Sequence, residues 1–304
     1  MAQINNNQED LIEKLKLPND RVRAVLDTDA YNEIDDQFAI VYALLSPERI
    51  ELEAIYAAPF FNSRSSSAED GMEQSYEEID RLLGLMGMSR PTFRGSRKFI
   101  SDGQAPTTNP AVEDLISRSR EQDNGPLYVL AIGAITNVAS AIQIAPDIVK
   151  NIVVVWLGGH AHHWPENEEF NLRQDPEAVR IILESNAPFV RVPCVPVADH
   201  LLTTEHELGH YLKGQSPLSD YLCRIFSEYR EHDGAWAKVI WDISVVAWLI
   251  NPEWVPTEIV PTPILTEDNH WRTVPNRHPM RQATMVKRDA VFTDLFNKLR
   301  SLGG

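Results

Sequence analysis

The sequence predicts a single α/β domain built on a mostly parallel β-sheet flanked by helices. Three observations carry this. Short apolar, β-branched runs alternate with helical periodicities along most of the chain. The runs are continuous rather than alternating, as in strands buried on both faces. No linker, internal repeat or low-complexity tract divides the 304 residues, so 1–304 reads as one domain.

Residues 1–20 read as a polar lead-in, partly helical at best. Arg21 to Asp29 is a short strand ending in carboxylates. A helix follows, with Ile34, Phe38, Ala39, Val41, Tyr42 and Leu45 on one face, and Pro47 marks its end. Ile50 to Ala58 is a second strand, Ser63 to Asp70 a polar loop, and Met72 to Met88 a helix. Residues 95–110, rich in Gly, Thr and Pro, read as irregular. Leu127 to Ile135 is an apolar run, followed by a small helix from Asn137 to Ala145. Ile152 to Leu157 is a buried strand ending in Gly158-Gly159. Asp175 to Ser185 is a helix with Pro176 in its first turn, where proline is tolerated. Phe189 to Val197 is strand-like; Thr203 to Leu212, Leu218 to His232 and Ile243 to Ile250 are helical. Short strands and a last helix, Asp289 to Leu302, finish the chain. In parallel sheets ligands bind beyond the carboxyl ends of strands, which directs the search to the residues after Leu26, Ala58, Ile135 and Leu157.

Acidic residues outnumber basic ones 44 to 28, for a formal charge of -16. This disfavours nucleic acid and anionic membrane surfaces as partners. Cys194 and Cys223 are the two cysteines, so no disulfide framework is expected and a reducing cytosol is the default. The N-terminus lacks the basic start and apolar stretch of a signal peptide, and no apolar run is long enough to span a bilayer. A cytoplasmic protein is expected.

Asp27, Asp29, Glu33, Asp35 and Asp36 place five carboxylates within ten residues at the first strand end. Asp27 and Asp29 point the same way from a strand, and Asp35 and Asp36 open the next helix. A hard cation would relieve their repulsion. The cluster alone is equally compatible with a solvated acidic helix start. Asp242 lies inside an apolar stretch, where a carboxylate needs a partner and a metal would supply one.

Four segments occur in order: VLDTDAYNEIDDQFAI, LAIGAITNVASAI, VVWLGGHAHHWPENEEFNLRQDPEAV and WDISVVAWLINP. Together they resemble the inosine-uridine-preferring nucleoside hydrolase family, from about residue 22 to about residue 252. The resemblance implies a nucleoside-hydrolase fold and calcium-dependent cleavage of the N-glycosidic bond of a ribonucleoside or related riboside. It implies Asp29 as calcium ligand and general base, Asp36 as a ligand, the Thr136 carbonyl as another, and Asp242 as the last. Asp35, Glu169 and Asn171 would bind the ribose hydroxyls, Asp27 would support the site, and Asn62 matches a sugar-contacting asparagine. A homodimer or homotetramer is also implied.

Two departures stand out. Many members carry His before the late metal-binding Asp; this chain has Trp241, resembling purine-specific members in which an indole stacks on the base. His163, with His162, Tyr229 and His232, is a further candidate contact for the leaving base. The loop from Ala30 to Ile34 is two residues longer than the family pattern, so Tyr31, Asn32 or Glu33 is expected to reach the substrate or alter the metal geometry. Two rival readings exist. One is a family-like protein that binds ribosides without turnover. The other is a zinc peptidase, because His206-Glu207-Leu208-Gly209-His210 matches HExxH.

Overall fold

The structure, a computed structural model, describes residues 6–103, 105–121, 125–230 and 232–303. Its strands are β1 (Val22–Thr28), β2 (Ile50–Ala57), β3 (Thr92–Arg94), β4 (Leu127–Ala131), β5 (Ile152–Leu157), β6 (Phe189–Val192), β7 (Leu202–Thr203), β8 (Lys238–Val239), β9 (Thr257–Pro261), β10 (Ile264–Leu265), β11 (Trp271–Arg272) and β12 (Pro279–Ala283). Its helices are α1 (Asn6–Lys14), α2 (Asp36–Leu44), α3 (Ala68–Leu85), α4 (Pro110–Ser119), α5 (Thr136–Ile144), α6 (Phe170–Gln174), α7 (Pro176–Glu184), α8 (Glu205–Tyr211), α9 (Pro217–Glu228), α10 (Ile243–Ile250) and α11 (Arg288–Arg300).

Eight strands form one sheet in the order β3-β2-β1-β4-β5-β6-β12-β9. Every neighbouring pair is parallel except β12 with β9. The single α/β domain predicted from the alternating pattern is therefore observed. Along the central strands, successive side chains enter opposite cores. Leu26, Leu130, Val153 and Val155 pack with α2, α10 and α11; Val25, Val129, Val154 and Trp156 pack with α5 and α7. Both faces are dry, which is why these strands read as unbroken apolar runs.

Two elements differ from expectation. The polar lead-in joins the core through Leu11 of α1 and Leu15 just after it, and Arg281 on β12 donates to the Leu15 carbonyl at 2.7 Å. Helix α2 is buried on all sides, not along one face. Its sequence DQFAIVYAL has no polar stripe, and β2, α3, α10 and α11 surround it. A helix apolar all round belongs in an interior.

The strand order turns back between β1 and β4, and their carboxyl ends lie side by side. This reversal opens a crevice over the sheet, the position at which parallel sheets bind ligands. Among the described residues, no helix is long and apolar enough to cross a membrane.

Candidate active site

Strand β1 delivers Asp27 at its end and Asp29 just beyond it. The Asp29 carbonyl accepts from Asn32 N–H at 2.8 Å, and this turn carries the chain round to Asp35 and Asp36 at the head of α2. Asp242 heads α10. Oxygens of Asp35, Asp36 and Asp242 lie within 4.8 Å of one another. All four of Asp29, Asp35, Asp36 and Asp242 are buried. Gly133, after β4, backs onto Asp29: a Cβ there would lie 2.8 Å from Asp29 Cγ, so only glycine leaves room for the carboxylate.

The electrostatics of this cluster are unfavourable by themselves. Burial, then Asp36 and Asp35, raises the Asp29 pKa well above the usual carboxylate range. Burial, then Asp35, pushes Asp36 up to about 8. Asp242 is raised by burial, then by Asp35, Asp36 and Asp29. Asp35 reaches about 6 through burial, with Lys238 opposing the rise. Thr28 donates to Asp36 Oδ1, and Trp241 N–H donates to Asp35 at 3.2 Å. Both oxygens of Asp29 and Oδ2 of Asp36 have no hydrogen-bond partner. Unpartnered carboxylate oxygens buried among other carboxylates fit a hard divalent cation, which takes several oxygen ligands.

Asp27 stands behind this group. Its Oδ1 accepts from Asn137 Nδ2 at 2.7 Å, and burial raises its pKa to about 7. Thr136 opens α5, where its carbonyl points along the helix, and its hydroxyl donates to Asp175 at 2.7 Å. Thr136 does not line the cavity beside the acidic cluster, whereas Ile132 does. The Ile132 carbonyl accepts from Asn171 Nδ2 at 3.2 Å. Asp29 and Asp36 are likewise outside that lining, so it does not separate Thr136 from the other expected ligands.

The cavity measures about 210 Å³. Asn32, Glu33 and Asp35 form one wall, Ile132 and Leu157 the floor, and His160, Glu169, Phe170 and Asn171 the wall above β5. Cys194, Val195, Trp241 and Asp242 complete it. Glu169 caps α6: its Oε2 accepts from Gly159 N–H at 2.8 Å and Leu172 N–H at 2.9 Å, and its Oε1 from Asn171 N–H at 2.9 Å. Asn171 Nδ2 also donates to the Leu157 carbonyl at 3.1 Å. Glu169, Asn171, Asp35 and Trp241 therefore line one cavity.

Two predicted contacts do not. Asn62 does not line this cavity; it donates to the Asn32 carbonyl at 3.1 Å and accepts from Arg64 N–H at 2.8 Å, fastening the long loop. His163 is exposed and outside the cavity. His162 packs edge-on against Trp271 with ring centroids 5.9 Å apart, and burial lowers its pKa to about 3. The histidine in the wall is His160, which sequence reasoning missed.

The longer loop reaches the site through Asn32 and Glu33, while Tyr31 lies under the Arg64 guanidinium at 4.2 Å. Glu33 accepts from Lys238 and, at 3.1 Å, from Tyr229. The HExxH histidines hold no comparable centre. Glu207 accepts from Thr203 at 2.6 Å and from Arg288, and His210 packs on Tyr211. Among the described residues, Asp35, Asp36 and Asp242 are the one group of three or more convergent candidate ligands, so the zinc reading lacks a third ligand.

Comparison with known proteins agrees with this geometry. The family model described as inosine-uridine preferring nucleoside hydrolase matches residues 24–293. The pyrimidine-specific ribonucleoside hydrolase RihA of Citrobacter koseri is 27% identical over 250 residues, 72% of this chain and 77% of that protein. A purine-preferring ribonucleoside hydrolase from Gardnerella vaginalis shares the fold, with TM-score 0.74 and 22% identity over 92% of this chain and 99% of that one. An inosine-uridine preferring nucleoside hydrolase from Bacillus anthracis gives a TM-score of 0.70 at 16% identity, covering 92% and 99%. The chain belongs to the inosine-uridine preferring nucleoside hydrolase family, enzymes that hydrolyse the N-glycosidic bond of ribonucleosides.

Proposed function

We propose that this enzyme is calcium-dependent and prefers purine ribonucleosides. The unpartnered oxygens of Asp29 and Asp36, buried beside Asp242, carry the metal reading. Asp29, Asp36 and Asp242, with the Thr136 carbonyl, would hold the ion. Calcium when bound supplies positive charge that organises vicinal hydroxyls and makes a nearby water more acidic.

The chain's own residues do the rest. Asp29 accepts the proton of the attacking water. Asp35, Glu169 and Asn171 grip the ribose hydroxyls, using binding energy away from the scissile bond. As the C–N bond breaks, positive charge grows on the sugar, and the surrounding carboxylates stabilise that oxocarbenium-like state. Trp241 offers an indole face for the base, and a fused purine presents more area to it. The relatives' names divide between pyrimidine and purine, so Trp241 carries the preference in this chain. The free cysteines Cys194 and Cys223 suit a reducing cytosol.

The test is ribose release from a panel of purine and pyrimidine nucleosides, with chelator-treated protein and with calcium, magnesium or zinc restored. Calcium should restore activity, most strongly on purines. Equal rates with and without chelator would overturn the metal reading, and faster pyrimidine cleavage the base preference.

A further inference from the structure

We propose that Glu33, on the long loop after β1, sets the base specificity: its carboxylate takes two adjacent N–H donors, so guanine-type ribonucleosides are the preferred purines. The inference rests on the purine nucleoside reading above, with Trp241 stacking the base.

The loop holds Glu33 in a fixed place. Asn32 N–H donates to the Asp29 carbonyl at 2.8 Å, Asn62 Nδ2 to the Asn32 carbonyl at 3.1 Å, and Arg64 Nη1 to the Glu33 carbonyl at 2.9 Å. The side chain is oriented as well: Oε1 accepts from the Tyr229 hydroxyl at 3.1 Å, and Oε2 from Lys238. A carboxylate offers about four acceptor positions, so each oxygen keeps one. The Glu33 side chain is 37% exposed, against 13% for Lys238, and Glu33 lines the cavity. Beside it, Asn32 Oδ1 is buried without a hydrogen-bond partner. Acceptor capacity on this wall is therefore unmatched.

The chain's course puts this wall beside the base. Three contacts run in order along two segments: Lys238 with Glu33, Trp241 N–H with Asp35, and Asp242 with Asp36. The acidic cluster that takes the ribose is at one end of this run. Glu33 is at the other, and Trp241 stands between them. A base stacked on Trp241, with its sugar at the acidic cluster, turns its far edge toward Glu33. Guanine carries two adjacent donors on that edge, N1–H and the 2-amino group, at the spacing of a carboxylate. Adenine offers one donor next to the N1 acceptor, and unsubstituted purine offers none.

The experiment compares kcat/KM for guanosine, adenosine and purine riboside in the unmodified enzyme, in Glu33→Ala and in Glu33→Gln. Guanosine should be the best of the three for the unmodified enzyme. Glu33→Ala should slow guanosine by roughly 10- to 100-fold, the worth of charge-assisted hydrogen bonds, and leave purine riboside within about 3-fold of its starting rate. Glu33→Gln presents one acceptor and one donor, so its preference should move from guanosine toward adenosine. A merely structural Glu33 would slow all three substrates alike in both variants, and that result would overturn the proposal. So would an unmodified enzyme that cleaves adenosine or purine riboside as well as guanosine. Failure to cleave any of the three, with calcium present, would instead defeat the purine reading beneath it.

Discussion

Asn137 Nδ2 donates to Asp27 Oδ1 at 2.7 Å, joining the first turn of α5 to the end of β1 beneath the acidic cluster. The same amide reaches the Ala57 carbonyl at 3.3 Å and accepts from Ser96 N–H at 2.8 Å. Three strand ends and a helix are thus tied through one fully buried side chain. Asn137→Ala should cost about 2 to 4 kcal/mol, since it leaves buried polar groups unsatisfied. Urea unfolding should report this as a lower midpoint with an unchanged m-value.

Proton binding follows from the raised carboxyls. The folded protein holds protons on Asp27, Asp35 and Asp36 up to about 7, about 6 and about 8, against 3.8 for the ordinary group. Between those values the folded state binds more protons than the unfolded one, so stability falls as pH rises. The contribution is complete below 3.8 and lost once pH passes the folded values. In chelator, the thermal midpoint should therefore drop between pH 4 and pH 8. Added calcium should restore it at the alkaline end and release protons on binding, measurable by calorimetry in buffers of different ionisation heat.

Gly133→Ala tests the packing behind Asp29. A methyl group 2.8 Å from Cγ must displace the carboxylate. Calcium affinity measured by titration calorimetry should fall roughly 10- to 100-fold, as for other residues that position a ligand, with the fold intact by circular dichroism.

Lys238 stands between the long loop and the acidic cluster. It pairs with Glu33 and is the charge that holds Asp35 down against burial. Lys238→Met should shift the acid limb of the kcat/KM profile to higher pH, because Asp35 then protonates more readily. Lys238→Arg, which keeps the charge, should leave the limb in place.

Much of this site was legible in the sequence, for identifiable reasons. Strand ends, the spacing of Asp27 and Asp29, and the isolated charge of Asp242 are local signals, and they survive folding. The parts that were not legible depend on tertiary placement. In His160-Ala161-His162-His163, only the turn after Gly159 decides which ring faces inward. Asn62 has the chemistry of a sugar contact but spends its amide on the Asn32 carbonyl, a partner 30 residues away. Leu11 and Leu15 looked like part of a polar lead-in because their burial depends on packing elsewhere in the fold.

The most direct test of the central claim is ribose release by Asp242→Ala across a calcium titration, beside the unmodified enzyme. If Asp29, Asp36 and Asp242 hold the ion that the reaction needs, the variant should require at least about tenfold more calcium, and the unmodified enzyme should be inactive in chelator. A variant with an unshifted calcium midpoint and full activity would contradict the account.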